Sequence, residues 1–571
     1  MPALLDNGCA SRAALICAFA ALACASSPGR PPPAADLLLR GGTVFVAGGK
    51  RSTAVAIRGD RIAALGEDAE RMAGPTTRVV DLSGRLVTPG MNDAHCHLGA
   101  GGLSMLEVDL RGASSLREIE SRVRAAAEKA GPGEWITGRG WDQTRLRPSE
   151  LGPGGWPTNE TLDRASARNP VYLRRVDGHT GWASSRALQL AGIDGRTPDP
   201  PGGEIVRDAR GAPTGILKEN AQDLVAQAVP PPTPDKLRRG ILAALDLAAR
   251  TGVTSVQSEV TPAELDIYRA LRAEGRLTVR IYGWLPLTTE VVRALEARGE
   301  RAASGDAWVR TGLVKAYADG TLGSRTAWML EPYADNRSTR GIQRIPGPEM
   351  DALVLAADRA GLQVAVHAIG DAANREVLDA IERAAAATGH RGARHRIEHA
   401  QVLDAADIPR FGRLGVIASM QPTHATSDMR WAEDRIGRAR AGEGAYAWRK
   451  LLDAKARIAF GTDFAVEPLD PVEGLYSAVT RQSREKPGTP AGGWLPSQRL
   501  SMEEALSLYT ASSAYAEFQE EAKGTLEPGK LADLVVWDRD LLTVPPEQLL
   551  QAKPVLTVVG GRAVYDSGAQ R

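Results

Sequence analysis

The sequence predicts an α/β protein, a (β/α)8 barrel carrying a small β domain built from both chain ends. Three observations point there. The chain has 571 residues, enough for one large barrel with attachments. Its centre alternates apolar runs with Ala-rich stretches of helical character, the rhythm of a parallel sheet covered by helices. Polar residues at the ends of those runs recur at multiples of 32 positions, close to the roughly 31 residues per βα unit of a barrel of ~250 residues. The 43% hydrophobic and 24% charged content is ordinary for a globular chain and excludes disorder or a collagen-like repeat for the bulk. With a net charge of +1, no basic excess points to a nucleic-acid partner.

Residues 1–30 read as a targeting segment or an unstructured extension. Arg12 precedes the apolar run Ala13 to Ala25, and Ala21-Leu22-Ala23-Cys24 is similar to a lipoprotein cleavage box. The expectation is a periplasmic or lipid-anchored location in a bacterial envelope rather than the cytoplasm. Beyond this segment no apolar run approaches the ~20 residues that span a bilayer. Three of the four cysteines, Cys9, Cys17 and Cys24, lie within it, so Cys96 alone remains in the body and no internal disulfide is available.

Residues 36–88 and 520–571 form the composite β domain. Leu37 to Val46, Ser52 to Arg58, Arg61 to Leu65 and Thr77 to Leu82 are short β-like runs, matched at the other end by Ala532 to Trp537 and by Val555 to Val564 with a turn at Gly560-Gly561. Residues 89–519 form the barrel. Its strands include Gly252 to Val256, Val309 to Lys315, Leu362 to His367, Arg394 to His399, Gly415 to Ser419 and Arg457 to Asp463, with helices at Pro348 to Ala360 and Ala372 to Ala387. From His97 to Lys315 is 218 residues, where three units need about 93, so about 125 are inserted. The stretch from about 99 to 232, rich in Gly, Pro and Trp, is that insertion. Trp135, Trp141, Trp156 and Trp182 fall in it, and serve either an apolar substrate pocket or the insertion's own core.

Side chains two apart on a strand share a face. His95 and His97 therefore point together, with Cys96 opposed as a small buried residue. In Leu362 to His367 the bulky Leu362, Val364 and Val366 share the helix-facing side and His367 the other. Asp463 likewise opposes Ile458 and Phe460. The same alternation sends Glu398, opposite to His399, towards the helices. His367 and His399 are 32 residues apart and His399 and Asp463 are 64 apart, which places them on strands n, n+1 and n+3. Barrel active sites lie at the C-terminal strand ends, where four histidines, Lys315 and Asp463 converge. Neutral imidazoles with a carboxylate suit zinc and similar divalent ions, with manganese, iron or cobalt as further fits.

The motifs Thr88 to Leu98 (TPGMNDAHCHL), Lys315 to Ala327 (KAYADGTLGSRTA), His367 to Asp371 (HAIGD), His395 to Gln401 (HRIEHAQ), Ser419 to Pro422, Gly461-Thr462-Asp463 and Gly529 to Val535 resemble the amidohydrolase superfamily. They resemble in particular its YtcJ-like branch, which includes N-substituted formamide deformylases, and the resemblance covers about residues 36 to 566. It implies a metal-dependent hydrolase barrel with a β-sandwich made from both chain ends. It implies His95, His97 and Asp463 as ligands of one metal, His367 and His399 of a second, and Lys315, carboxylated, as a bridge. Thr462 stands where Ser is common in the branch and removes no ligand.

The chemistry expected is hydrolysis of an amide, N-formyl or N-acyl amine C–N bond. Cations lower the pKa of water towards ~7, and Asp463 carries the proton to the leaving nitrogen. A lactone, ester or carbamate hydrolase on the same site, or an inactive binding homologue, are the alternatives. The insertion would cap the site. His179, Asp319, Arg325 and Gln421 are candidate substrate contacts, each with a loop-bracing role as the plain alternative. A small molecule is the expected partner, with a homodimer the further assembly considered.

Overall fold

The computed structural model describes residues 33–568, and the targeting-like segment of residues 1–30 lies outside them. The central sheet has eight parallel strands: β1 (Met91–Cys96), β2 (Val253–Glu259), β3 (Arg280–Pro286), β4 (Val309–Tyr317), β5 (Gln363–Ala368), β6 (Arg396–His399), β7 (Ile417–Met420) and β8 (Arg457–Phe460). They are hydrogen-bonded in chain order. The seam between β8 and β1 is joined at its C-terminal end, where the Asp463 N–H donates to the His95 carbonyl at 2.7 Å and the His97 N–H to the Phe464 carbonyl at 2.5 Å.

Alternation of side chains builds the two layers. Val364 and Val366 of β5 join the large core shared with the helices, whereas Ala365 faces inward with Tyr282, Trp284 and Leu313. The helix Pro234–Thr251 shows how a unit is punctuated. Thr233 accepts from the Lys236 N–H at its start, and Gly252, with φ of +80°, ends it in the left-handed conformation that a residue with a Cβ resists. The chain then enters β2. The strand β3 had no place in the sequence reading, because Gly283 and Pro286 interrupt its apolar run.

The two chain ends meet in one eight-stranded sheet. Leu86–Pro89 runs antiparallel to Leu534–Trp537, with Thr88 opposite Val535. The long first strand, Leu37–Ala47, pairs through its first half with Arg78–Asp81 and through its second with Leu86–Pro89, so one bent sheet buries a core on each side. It docks on the barrel through Arg280 of β3, whose Nε and Nη2 donate to Asp533 at 2.6 and 2.9 Å.

Between β1 and β2 the chain builds a third sheet of six strands, from Val108–Asp109 to Pro213–Glu219. Its core holds Trp141, Trp156 and Trp182, with Trp141 edge-on to both others. These three therefore serve the insertion's core, which corrects the pocket alternative: a single sheet needs its own apolar mass, and large aromatics supply it. Trp135 packs, partly buried, against a separate patch that includes Tyr172 and Leu217. Among the described residues no helix is long and apolar enough to cross a membrane.

Candidate active site

Six of the eight histidines gather at the C-terminal mouth of the barrel. The ring centroids of His95 and His97 are 5.5 Å apart, those of His95 and His399 4.9 Å, and those of His399 and His367 4.5 Å. His179 of the insertion lies 5.0 Å from His367, and His424, from the helix Pro422–Asp428 after β7, lies 5.7 Å from His399. Asp463 Oδ1 is 3.5 Å from His95 Nε2 and 3.4 Å from His97 Nε2. Lys315 Nζ is 3.0 Å from His95 Nε2, over the faces of Trp284 and Tyr317. The structure thus brings His95, His97, Lys315, His367, His399 and Asp463 together.

Each imidazole is held by one nitrogen, which leaves the other for a ligand. His95 Nδ1 contacts Glu398 at 2.5 Å, His97 Nδ1 contacts Glu259 at 3.0 Å, and His399 Nδ1 contacts the Gln421 side-chain carbonyl at 2.8 Å. With those acceptors on Nδ1–H, the three Nε2 atoms present lone pairs. His367 is reversed: its Nε2 meets the Gly320 carbonyl at 3.1 Å, so Nδ1 is the free atom. Burial holds the His95, His367 and His399 imidazoles well below their ordinary pKa, and nearby Lys315 and neighbouring histidines push the same way. They are neutral at pH 7, the form that binds a cation. Burial alone would raise the Asp463 carboxyl, but close imidazoles, His97 first, outweigh it and keep it ionised.

This donor set fits a metal. Asp463 Oδ1 is buried and has no hydrogen bond of good geometry, with His95 Nε2 and His97 Nε2 3.5 and 3.4 Å away. Ligand atoms of His95, His399 and Asp463 lie within 4.8 Å of one another. Lone pairs and a carboxylate so placed repel unless a cation lies among them.

The cavity above them encloses about 480 Å³, lined by His179, His367, His399, His424, Asp463 and residues of the insertion and barrel loops. Of the four substrate candidates only His179 lines it; its Nδ1 contacts Glu219 at 2.8 Å. Asp319 is fully buried and accepts the N–H groups of Trp328, Ile369 and Gly370 at 2.8, 3.0 and 2.8 Å, bracing the loop behind His367. Arg325 forks onto Asp335 at 3.1 and 2.9 Å, away from the cavity. Gln421 turns to His399. The direct-contact expectation for these three is therefore corrected to a bracing one, because each polar group is already committed to protein partners.

Glu398 is a second correction. It points inward, to His95 and to Arg396 Nε at 2.6 Å. Ile397 keeps the helix-facing side. His399, with φ of +74°, leaves the strand geometry, and the left-handed turn carries its imidazole back inside. Parity holds only while the backbone stays extended. Glu259 and His424 are two further residues of the site that strand spacing does not mark. One available signal for His424 was its identity as one of only eight histidines, four residues beyond the end of β7.

Compared with known proteins, the chain matches the amidohydrolase family over residues 78–565. It belongs to that family. This amidohydrolase is 37% identical to Protein LONG AFTER FAR-RED 3 of Arabidopsis thaliana, over 94% of this chain and 93% of that one. It is 35% identical to the protein YtcJ of Bacillus subtilis (strain 168), over 87% and 92%. It is 28% identical to the N-substituted formamide deformylase of Arthrobacter pascens, over 93% and 98%. The solved structure of a metal-dependent hydrolase from Pyrococcus horikoshii OT3 superposes with a TM-score of 0.71 at 30% identity, covering 90% of this chain and 99% of that one. The amidohydrolase is a metal-dependent hydrolase with a divalent cation as cofactor and a small molecule as substrate.

Proposed function

We propose that this amidohydrolase cleaves the C–N bond of an N-formyl or N-acyl amine, with Asp463 as proton acceptor and donor. The observation that carries the reading is the Asp463 carboxylate: buried, ionised, facing His95 and His97 through Oδ1 and opening onto the cavity. The name and extent of the Arthrobacter pascens relative support the bond type.

His95, His97 and Asp463 would hold one cation and His367 and His399 a second. Burial lowers the pKa of the Lys315 amine, which favours the uncharged nucleophile that adds to the carbon of CO₂ with loss of a proton, and the resulting carbamate would be an anionic oxygen ligand shared by the pair. Bound there, divalent cations, zinc in this reading, supply Lewis acidity towards water and towards the scissile carbonyl. Asp463 takes the proton of the attacking water and delivers it to the nitrogen as the C–N bond breaks, because an amide anion leaves badly. The products are a carboxylic acid, or formate, and an amine. Burial would lower the pKa of the His179 imidazole, but Glu219 outweighs it and raises it, so the protonated ring, anchored through Nδ1, would donate Nε2–H to the carbonyl oxygen from the cavity wall.

Amine release from a panel of N-formyl and N-acyl amines, with metal content measured on the same preparation, tests the reading. Asp463→Asn should fold normally and lose at least ~10²-fold in turnover. Retention of more than about a tenth of wild-type activity removes Asp463 from the role of base.

A further inference from the structure

The segment after β7 carries a group that the reaction above leaves unused. His424 sits in the first turn of the helix Pro422–Asp428, where its own N–H donates to the Gln421 carbonyl at 3.2 Å. Its ring lies nearly parallel to that of His399, with planes 16° apart. Its Nε2 is shielded from solvent and makes no hydrogen bond of good geometry. Asp463 Oδ2 lies 3.4 Å from it.

The two Asp463 oxygens thus have different neighbours. Oδ1 faces His95 and His97, and Oδ2 faces His424. The terminal torsion of a carboxylate is soft, so nothing intrinsic to Asp463 keeps one oxygen on either side. A buried N–H needs an acceptor, and an ionised acceptor makes the stronger bond. We infer that His424 is a positioning residue: its Nε2–H holds Asp463 Oδ2 and so fixes the orientation in which the carboxylate handles the proton, with Oδ1 kept beside the two metal-facing imidazoles. The same turn serves both neighbouring strands, since Gln421 fixes the His399 ring from β6 while His424 fixes the carboxylate that follows β8. β7 supplies no ligand and orients those on either side.

The inference rests on the proposed role of Asp463, and the experiment separates the two. The metal-loaded enzyme is compared with His424→Phe, which keeps an aromatic ring and drops the donor, and with His424→Gln, which keeps an N–H. The Phe variant should lose about 10–100-fold in kcat, the cost usual for removing the partner of a metal-site ligand. KM should change little, metal content measured by mass spectrometry should stay at the wild-type ratio, and the Gln variant should recover part of the loss. Wild-type kcat in the Phe variant, a change confined to KM, loss of metal, or a Gln variant as slow as Phe would each overturn the positioning role. If the Phe variant does not fold, His424→Ala and His424→Gln are read against each other in the same way. Asp463→Asn is assayed alongside. Retained turnover there overturns the reading of the reaction, whereas an inactive Asp463→Asn beside a fully active Phe variant overturns only the role of His424.

Discussion

Glu398 shows how much of the site is decided one residue behind the ligands. It contacts His95 Nδ1 at 2.5 Å and accepts the Arg396 fork at 2.6 and 3.1 Å, with all three side chains fully buried. The carboxylate fixes the tautomer that leaves His95 Nε2 free, and raises the basicity of the ring. Glu398→Gln keeps the shape and removes the charge, so metal affinity should fall about 10–100-fold. A metal titration of the apo-protein reads this directly; an unchanged affinity would mean that Glu398 only fills space. The His399 backbone makes the same point in another way. A non-glycine residue with φ of +74° is held there at a cost of order 1–3 kcal/mol, and the consequence is an imidazole turned onto the side of the strand where alternation places Glu398.

At the level of elements, strand alternation and cap residues were readable because they are local. Local periodicity marks seven of the eight barrel strands and both β-rich ends, but not β3, where Gly283 and Pro286 break the run. How the terminal sheet docks is a tertiary matter. Asp533 and Arg280 are 253 residues apart in the chain and meet as a bidentate pair with both side chains only 4% exposed. Burial would raise the Asp533 carboxyl, but Arg280 outweighs it and holds it below the ordinary carboxylate value. A carboxyl depressed in the folded state adds stability above its unfolded pKa, about 3.9, and that contribution disappears as pH falls through the folded value. Asp533→Asn should therefore destabilise the protein by ~3–5 kcal/mol near neutrality, the cost of stranding a buried guanidinium. The gap to wild type should narrow at and below about pH 4. Urea unfolding at both pH values checks it, and a gap that does not narrow on acidification contradicts the assignment.

Across the whole molecule, the insertion and the barrel loops close the cavity together. Arg175, 3% exposed, joins Asp142 and Asp177 within the insertion. Arg430, following the helix that carries His424, reaches across to Asp142 at 2.7 Å, and Thr321 donates to Asp177 at 2.8 Å. Arg430 is 42% exposed, so Arg430→Ala should cost less than ~1 kcal/mol in stability. It should still raise KM by a larger factor than it lowers kcat, because it loosens the wall and not the reacting groups; steady-state kinetics with thermal unfolding would show it, and a loss confined to kcat would contradict it. The sequence by itself determined the barrel, the chain-end domain and the positions of His95, His97, Lys315, His367, His399 and Asp463, since spacing, strand polarity and motif are properties of neighbours along the chain. Only the tertiary structure decided that Glu398 faces inward, that Asp319 and Arg325 brace loops, that the tryptophans fill the insertion and that His424 meets Asp463. Those outcomes depend on a few backbone angles at strand ends and on contacts between segments tens to hundreds of residues apart, which barrel closure sets and local periodicity does not encode.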